Sequence, residues 1–183
     1  MSSDGTSDVA ARIRAGDSQA FEALHAQYWQ GLVRSAMRYV NDAELAADVV
    51  QDIFVSLWIR RSTLVLRGSI AEYLYAAVRN QAVTAARHRH TITQFRDQGM
   101  TSTSSESLDA SDTTLEFREL EQAIRRRFME LPARCRETFL LYRSGDLELG
   151  EVARIMGVSR ATAKTQIKRA VAALRDVVTV HRR

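Results

Sequence analysis

Residues 149–175, LGEVARIMGVSRATAKTQIKRAVAALR, constrain the fold more than any other stretch of the chain. Two helical periodicities meet there at one glycine. Val152, Ala153 and Ile155 make an inward face for a short helix, and the small Ala153 permits close helix approach. Gly157 supplies a residue that accepts the left-handed turn conformation, Val158 plugs the core, and Ser159 is an N-cap for a second helix. In that second helix Ala163, Ile167, Ala170 or Val171, Leu174 and Val177 recur on one side. Such a segment is a helix-turn-helix. Its outward or leading positions are Ser159, Arg160, Thr162, Lys164, Thr165, Lys168 and Arg169. Lys164 and Lys168, four residues apart, are the only lysines in the chain, and no acid occurs between Arg154 and Arg175. A solvated helix face normally mixes both signs, so an acid-free one points to DNA. The bland alternative is a helical hairpin with a charged exposed face.

The rest of the chain reads as helix too. A single Pro and eight Gly leave few turn signals in 183 residues, so an all-α fold is expected. Asp17 can cap a helix through about Val40, with Phe21, Leu24, Tyr28, Leu32, Ala36 and Tyr39 at three- and four-residue steps. Asn41 or Asp42 starts the next, with Leu45, Val49, Ile53, Phe54, Leu57 and Trp58 inward and an end near Arg60 and Arg61. Residues 62–68 form a connecting loop. Ser69 with Glu72 three residues on is a capping-box signature, opening a helix to about His90 with Leu74, Val78 and Ala82 on one side. Val9 to Ala15 makes a short leading helix. Further on, helices are expected over Leu115 to Leu131 and Ala133 to Arg143, with Pro132 as a first helical residue.

Between these halves, residues 97–113 hold eight Ser or Thr and only Met100 and Leu108 as sizeable apolar side chains. A segment of that composition cannot offset its ordering entropy by burial, so it is expected to be a flexible linker. The domain limits expected are therefore 1–96 and 114–183, joined by 97–113. Charge divides the same way: residues 1–112 carry 11 Arg against 13 acids, and 113–183 carry 15 Lys and Arg against 9. Within the first half, the acid-free run between Glu72 and Asp97 holds Arg79, Arg87, Arg89 and Arg96. Two separated basic segments suit a nucleic-acid partner.

Other chemistry finds little footing. Cys135 is the only cysteine, so no internal disulfide forms. His88 and His90, two apart on a helix, point to different faces and do not chelate a metal together. There is no phosphate-binding glycine loop and no nucleophile elbow. Neither a catalytic site nor a cofactor is expected. With no signal peptide and no apolar run of about 18 residues, no membrane insertion is expected either, and the chain is placed in the cytoplasm.

Four motifs in order resemble the sigma-70 family, specifically its extracytoplasmic-function group. AGDSQAFEALHAQYW resembles that family's opening helix, and DAELAADVVQDIFVSLW resembles the segment that docks on the clamp helices of the RNA polymerase largest subunit. YLYAAVRNQAVTAARHRH is similar to the helix that reads and opens the minus-10 element, and residues 131–175 look like the minus-35-reading domain. Three positions depart from the family pattern: Tyr73 where many relatives have Trp, Thr84 where an Asp is usual, and Glu148 where Ser is common.

The resemblance implies a promoter-recognition subunit whose partners are core RNA polymerase and promoter DNA. An anti-sigma factor is a third partner that it implies. Asp48, Gln51 and Asp52 would form the polymerase-binding face, which as bare chemistry is a solvated acidic face. Arg79 and Asn80 match the family's Arg-Asn pair, with Arg87 and Arg89 extending the basic edge. Tyr73 and Tyr75 would stack on unstacked bases or else pack in the helix, and the loop Arg67 to Ile70 would help form a flipped-base pocket. Without the resemblance, the competing reading is a stand-alone helix-turn-helix regulator.

Overall fold

A computed structural model describes residues 3–66, 68–96 and 115–181 of the protein. Its packing divides the chain into two units, Met1–Gln98 and Gly99–Arg183. The described residues are helical with short connections. The expected linker, 97–113, lies outside them, as does Arg67.

The first unit contains α1 (Ser3–Arg14), α2 (Ser18–Val40), α3 (Ala43–Ile59), a 3₁₀ turn at Arg61–Thr63 and α4 (Ile70–Arg96). Asp17 caps α2 as its sequence suggests, accepting the Ala20 N–H at 3.0 Å and the Arg12 guanidinium at 2.8 Å. Between α2 and α3 the chain reverses in two residues that divide the work. Asn41 takes a left-handed φ of 49° and returns its N–H to Met37 O at 3.0 Å, so it ends α2. Asp42 then accepts the Leu45 N–H at 3.1 Å and begins α3. Ser69 opens α4 through a 3.0 Å bond from the Glu72 N–H.

Helix α2 packs against both α3 and α4, and α1 closes one end against α2 and the 3₁₀ turn. Leu32 and Ala36 of α2, Val50 and Leu57 of α3, and Leu74 and Val78 of α4 are wholly buried. Each of these Leu and Val side chains contributes about 1.5–3 kcal/mol of burial energy, which is why the apolar stripes rather than helix propensity fix the bundle. Beside this core, Phe21, His25 and Trp29 of α2 face Phe54 and Trp58 of α3, with the His25 ring 4.6 Å from Phe54 and 4.8 Å from Trp29. Arg61 lies over the Trp58 ring at 4.4 Å.

The boundaries in this unit differ from the sequence expectation in three ways, the first being that the leading helix starts at Ser3 and not at Val9. The connection after α3 is not wholly irregular, because the Thr63 N–H bonds Arg60 O at 3.0 Å and the Leu64 N–H bonds Arg61 O at 3.3 Å, closing residues 61–63 into one tight turn, while the Arg61 side chain donates back to Trp58 O at 2.7 Å. Helix α4 continues to Arg96 rather than ending near His90, with no Gly or Pro before Gly99 to stop it.

The second unit contains α5 (Leu115–Met129), α6 (Ala133–Arg143), α7 (Leu149–Met156) and α8 (Arg160–His181). Helices α5, α6 and α7 all pack on α8. Pro132 stands one residue earlier than expected, as the extended residue before α6, with ψ at 140°. Arg136 ties this corner down by donating to Met129 O at 2.8 Å, the last carbonyl of α5, and to Leu131 O at 2.5 Å in the connection. Leu131, Cys135, Ala170 and Ala173 form a buried cluster flanked by Phe128 and Phe139.

Candidate nucleic-acid interface

The turn of residues 157–159 sets the direction of α8. Gly157 has φ 64° and donates to Arg154 O at 3.1 Å, while the Val158 N–H returns to Ala153 O at 3.0 Å. A side chain at Gly157 meets no neighbour, so the glycine is needed for its backbone conformation and not for space. Ser159 Oγ accepts the Thr162 N–H at 3.0 Å and lies 2.8 Å from Thr162 Oγ1. Upstream, at the start of α7, the Glu151 carboxylate accepts the Glu148 N–H at 2.8 Å, the return half of a capping box.

The buried side of the motif differs in detail from its sequence reading. Met156 is buried where the sequence points to Ile155, and Val158 is half-buried. Of the two candidates on α8, Ala170 is buried and Val171 is 39% exposed. Helix α8 therefore presents Arg160, Lys164, Thr165, Lys168 and Arg169 to solvent, and none of the four cations forms an ion pair among the described residues. Thr165 Oγ1 gives its proton to Ala161 O at 3.0 Å, which leaves its lone pairs outward. Ser159 and Thr162 hold the cap and stay exposed, so the outward chemistry of the helix is cationic with two hydroxyls at its start.

On α4 the candidate residues separate. Tyr73, Asn80 and Arg87 are seven residues apart, two helical turns each, and share one face; Tyr73 is half-buried and the other two are exposed. Arg79 is half-buried beside that stripe. Tyr75 is wholly buried, which corrects its reading as a base-stacking residue: it stands one position after Leu74 and three before Val78, and so falls on the core face. Thr84 Oγ1 donates to Asn80 O at 2.9 Å and stays within the helix.

Asp48, Gln51 and Asp52 are exposed on α3, and Gln81 Nε2 of α4 approaches Asp52 Oδ2 at 3.5 Å. The same helix exposes Val55 and Ile59, at 46% and 69%, which sequence reasoning missed. Their signal was available: Val55 follows Asp52 by three residues and Ile59 follows it by seven, both on the polar side. Phe54 is buried and Trp58 half-buried, in the aromatic layer against α2.

Among the described residues no His, Cys, Asp or Glu cluster is placed to hold a metal ion, and no helix is long and apolar enough to cross a membrane.

Family models match both units: Sigma-70 region 2 over residues 24–91 and Sigma-70, region 4 over 121–174. The chain is 24% identical over 171 residues to the RNA polymerase sigma-H factor of Pseudomonas aeruginosa, covering 87% of this chain and 86% of that one. It is also 24% identical over 166 residues to the RNA polymerase sigma factor YlaC of Bacillus subtilis, covering 89% and 94%. In fold it is similar to the sigma factor RpoE, solved in complex with the anti-sigma factor NepR from Bartonella quintana. That likeness has a TM-score of 0.64 at 21% identity, over 87% of this chain and 97% of that one.

Proposed function

Because the chain belongs to the sigma-70 family, we propose that it is an extracytoplasmic-function RNA polymerase sigma factor, which joins core polymerase in the cytoplasm and directs it to promoters. It performs no chemistry itself, since the polymerase makes the RNA. The observation that carries this reading is the pairing, in one chain, of a recognition helix that is cationic and free of acids from Arg160 to Arg175 with a second helix, α4, that lines up Tyr73, Asn80 and Arg87. A repressor needs the first and has no use for the second.

In this reading Arg160, Lys164, Thr165, Lys168 and Arg169 meet the minus-35 element, with Ser159 and Thr162 holding the helix start. Tyr73, Arg79, Asn80 and Arg87, together with Arg67, meet the minus-10 element. A half-exposed ring suits stacking on an unpaired base, and exposed Arg and Asn suit phosphates and base edges. Asp48, Gln51 and Asp52 make the acidic face that docks on core polymerase. The complex of the similar sigma factor RpoE with an anti-sigma factor supports an anti-sigma partner here too.

Reconstitution tests the whole reading. The purified chain added to core polymerase should co-migrate with it and start transcripts at discrete promoters. A chain that bound DNA but neither joined core polymerase nor altered its start sites would be the stand-alone regulator instead.

A further inference from the structure

The contact between α6 and α8 is mostly featureless. Ala170 and Ala173 of α8 meet Phe139 there, with Leu131 of the α5–α6 connection and Phe128 of α5 alongside, and apolar packing of this kind is directionless. Small alanines on α8 permit close approach without fixing how far the helix is turned about its axis. Base reading tolerates little such freedom, because contacting side chains need placement within about 0.5 Å.

One residue of α8 breaks the apolar pattern. Half-buried Gln166 is gripped from α6 at two points, by side chain and by backbone. The wholly buried Thr138 hydroxyl lies 2.7 Å from Gln166 Oε1 and 2.8 Å from Arg134 O. A hydroxyl has one proton and two lone pairs. It therefore serves one of these acceptors at a time or, with the Gln166 amide turned over, donates to Arg134 and accepts from Gln166. Either arrangement links the same two residues. One turn earlier on α6, Cys135 Sγ donates to Gln166 O at 3.0 Å and also meets the Ala170 N–H. Burial pushes the Cys135 thiol pKa up, against an opposing effect of Arg169, so the sulfur keeps its proton and remains a donor.

Two directional bonds to one residue fix both the rotation and the register of a helix. Gln166 stands between Thr165 and Lys168, within the stretch that carries the outward cations. Taking α8 as the minus-35 reader, we infer that Gln166 is a positioning residue: held by Thr138 and Cys135, it sets the register at which α8 presents its side chains and makes no base contact of its own. The buried hydroxyl thus serves specificity more than affinity, as single buried polar residues do when they set helix register.

The test uses holoenzyme assembled from core polymerase and the full chain, on a panel of minus-35 variants at fixed salt. Thr138→Val keeps the buried shape and removes the hydroxyl, and Thr138→Ser restores it. Thr138→Val should narrow the spread between best and worst promoter by about tenfold, toward the lower end of what one base contact discriminates, with an unchanged salt slope. Thr138→Ser should recover the wild-type spread. Gln166→Leu should narrow the spread as Thr138→Val does, and the double variant should go no further, as expected of a shared contact. Helical content and melting temperature of each chain establish that it is folded, and should Thr138→Val fail there, Gln166→Leu and Cys135→Ala carry the comparison.

A Thr138→Val holoenzyme with the wild-type spread, or with all promoters weakened equally, would overturn the inference. So would a loss of spread in Gln166→Leu alone, which would make Gln166 a direct reader. Arg160→Ala and Lys164→Ala run alongside: if they too leave the spread at its wild-type value, the reading of α8 itself has failed, and if they narrow it while Thr138→Val does not, only the positioning role has.

Discussion

Arg89 Nη1 of α4 lies 2.8 Å from Asp42 Oδ2, while the other carboxylate oxygen of Asp42 accepts the Leu45 N–H that starts α3. One carboxylate thus caps the acidic helix and pairs with the basic one. The sequence alone places Arg89 with Arg87 on an open basic edge, yet its charge is answered from within the unit.

That double use predicts a particular pH response. The Leu45 N–H and then Arg89 hold the Asp42 carboxyl below the ordinary 3.8, and the Ala20 N–H and then Arg12 do the same for Asp17. A pKa lowered by folding gives stability that is present above the ordinary value and lost as pH falls through the folded one. Melting temperature should therefore hold from neutrality down to about pH 4 and then decline. The double variant Asp17→Asn, Asp42→Asn should decline less steeply over the same window, since Asn caps without titrating. At neutral pH Asp42→Asn should melt close to wild type and Asp42→Ala lower. Equal acid slopes in the two proteins would show that these caps do not titrate with folding.

Tyr73 and Tyr75 should separate in experiment. Tyr75 has no exposed surface, and truncation to Ala should cost about 3–5 kcal/mol of stability, as for other large buried aromatics. Tyr73→Ala should leave melting nearly unchanged and weaken holoenzyme binding to a single-stranded minus-10 fragment by about 1–3 kcal/mol. Chemical denaturation and fragment binding read the two effects independently. A Tyr73→Ala holoenzyme that held the fragment as tightly as wild type would remove Tyr73 from the DNA interface.

The contrast between those tyrosines shows what the sequence made legible. Helix starts were plain because a cap is local: Asp17, Asp42, Ser69 and Ser159 each bond an N–H three residues on. The core stripes were plain because a 3.6-residue period is written along one chain, and Tyr75 is misread only by weighing its chemistry above its place beside Leu74 and Val78. What crosses between helices was not legible. The grip of Thr138 on Gln166 spans 28 residues and that of Arg89 on Asp42 spans 47, and no spacing rule relates such positions before the helices are packed. The exposed faces lie between these cases, since α3 and α8 showed which residues point outward while only the family resemblance said what meets them.

The polymerase-docking face is open to charge reversal. Asp48 and Asp52 are exposed and α3 is capped by Asp42, so Asp48→Lys with Asp52→Lys should preserve helical content and melting. Assembly with core polymerase should weaken, most at low salt where the charges are least screened. Val55 and Ile59 remain on the same face, so some affinity should survive. Unchanged assembly at low ionic strength would show that α3 docks nothing through its acidic residues.

On α8, base reading and phosphate binding should come apart, because only base contacts carry sequence information. Arg160 and Lys164 occupy the first turn and a half, the part of a recognition helix that meets base edges. Replacing either with Ala should relax preference at one or two minus-35 positions, at about 1–3 kcal/mol for each base no longer read. Lys168 and Arg169 stand a turn further on, equally exposed and equally without an acid partner among the described residues. Their removal should weaken all promoters alike and flatten the dependence on salt, since fewer counterions are then released. The measurement belongs in the assembled holoenzyme, with a panel of minus-35 variants ranked at one salt concentration and the best promoter titrated across several. If Lys168→Ala reordered the panel while Arg160→Ala only shifted it uniformly, the helix would be meeting DNA with its middle and not its start.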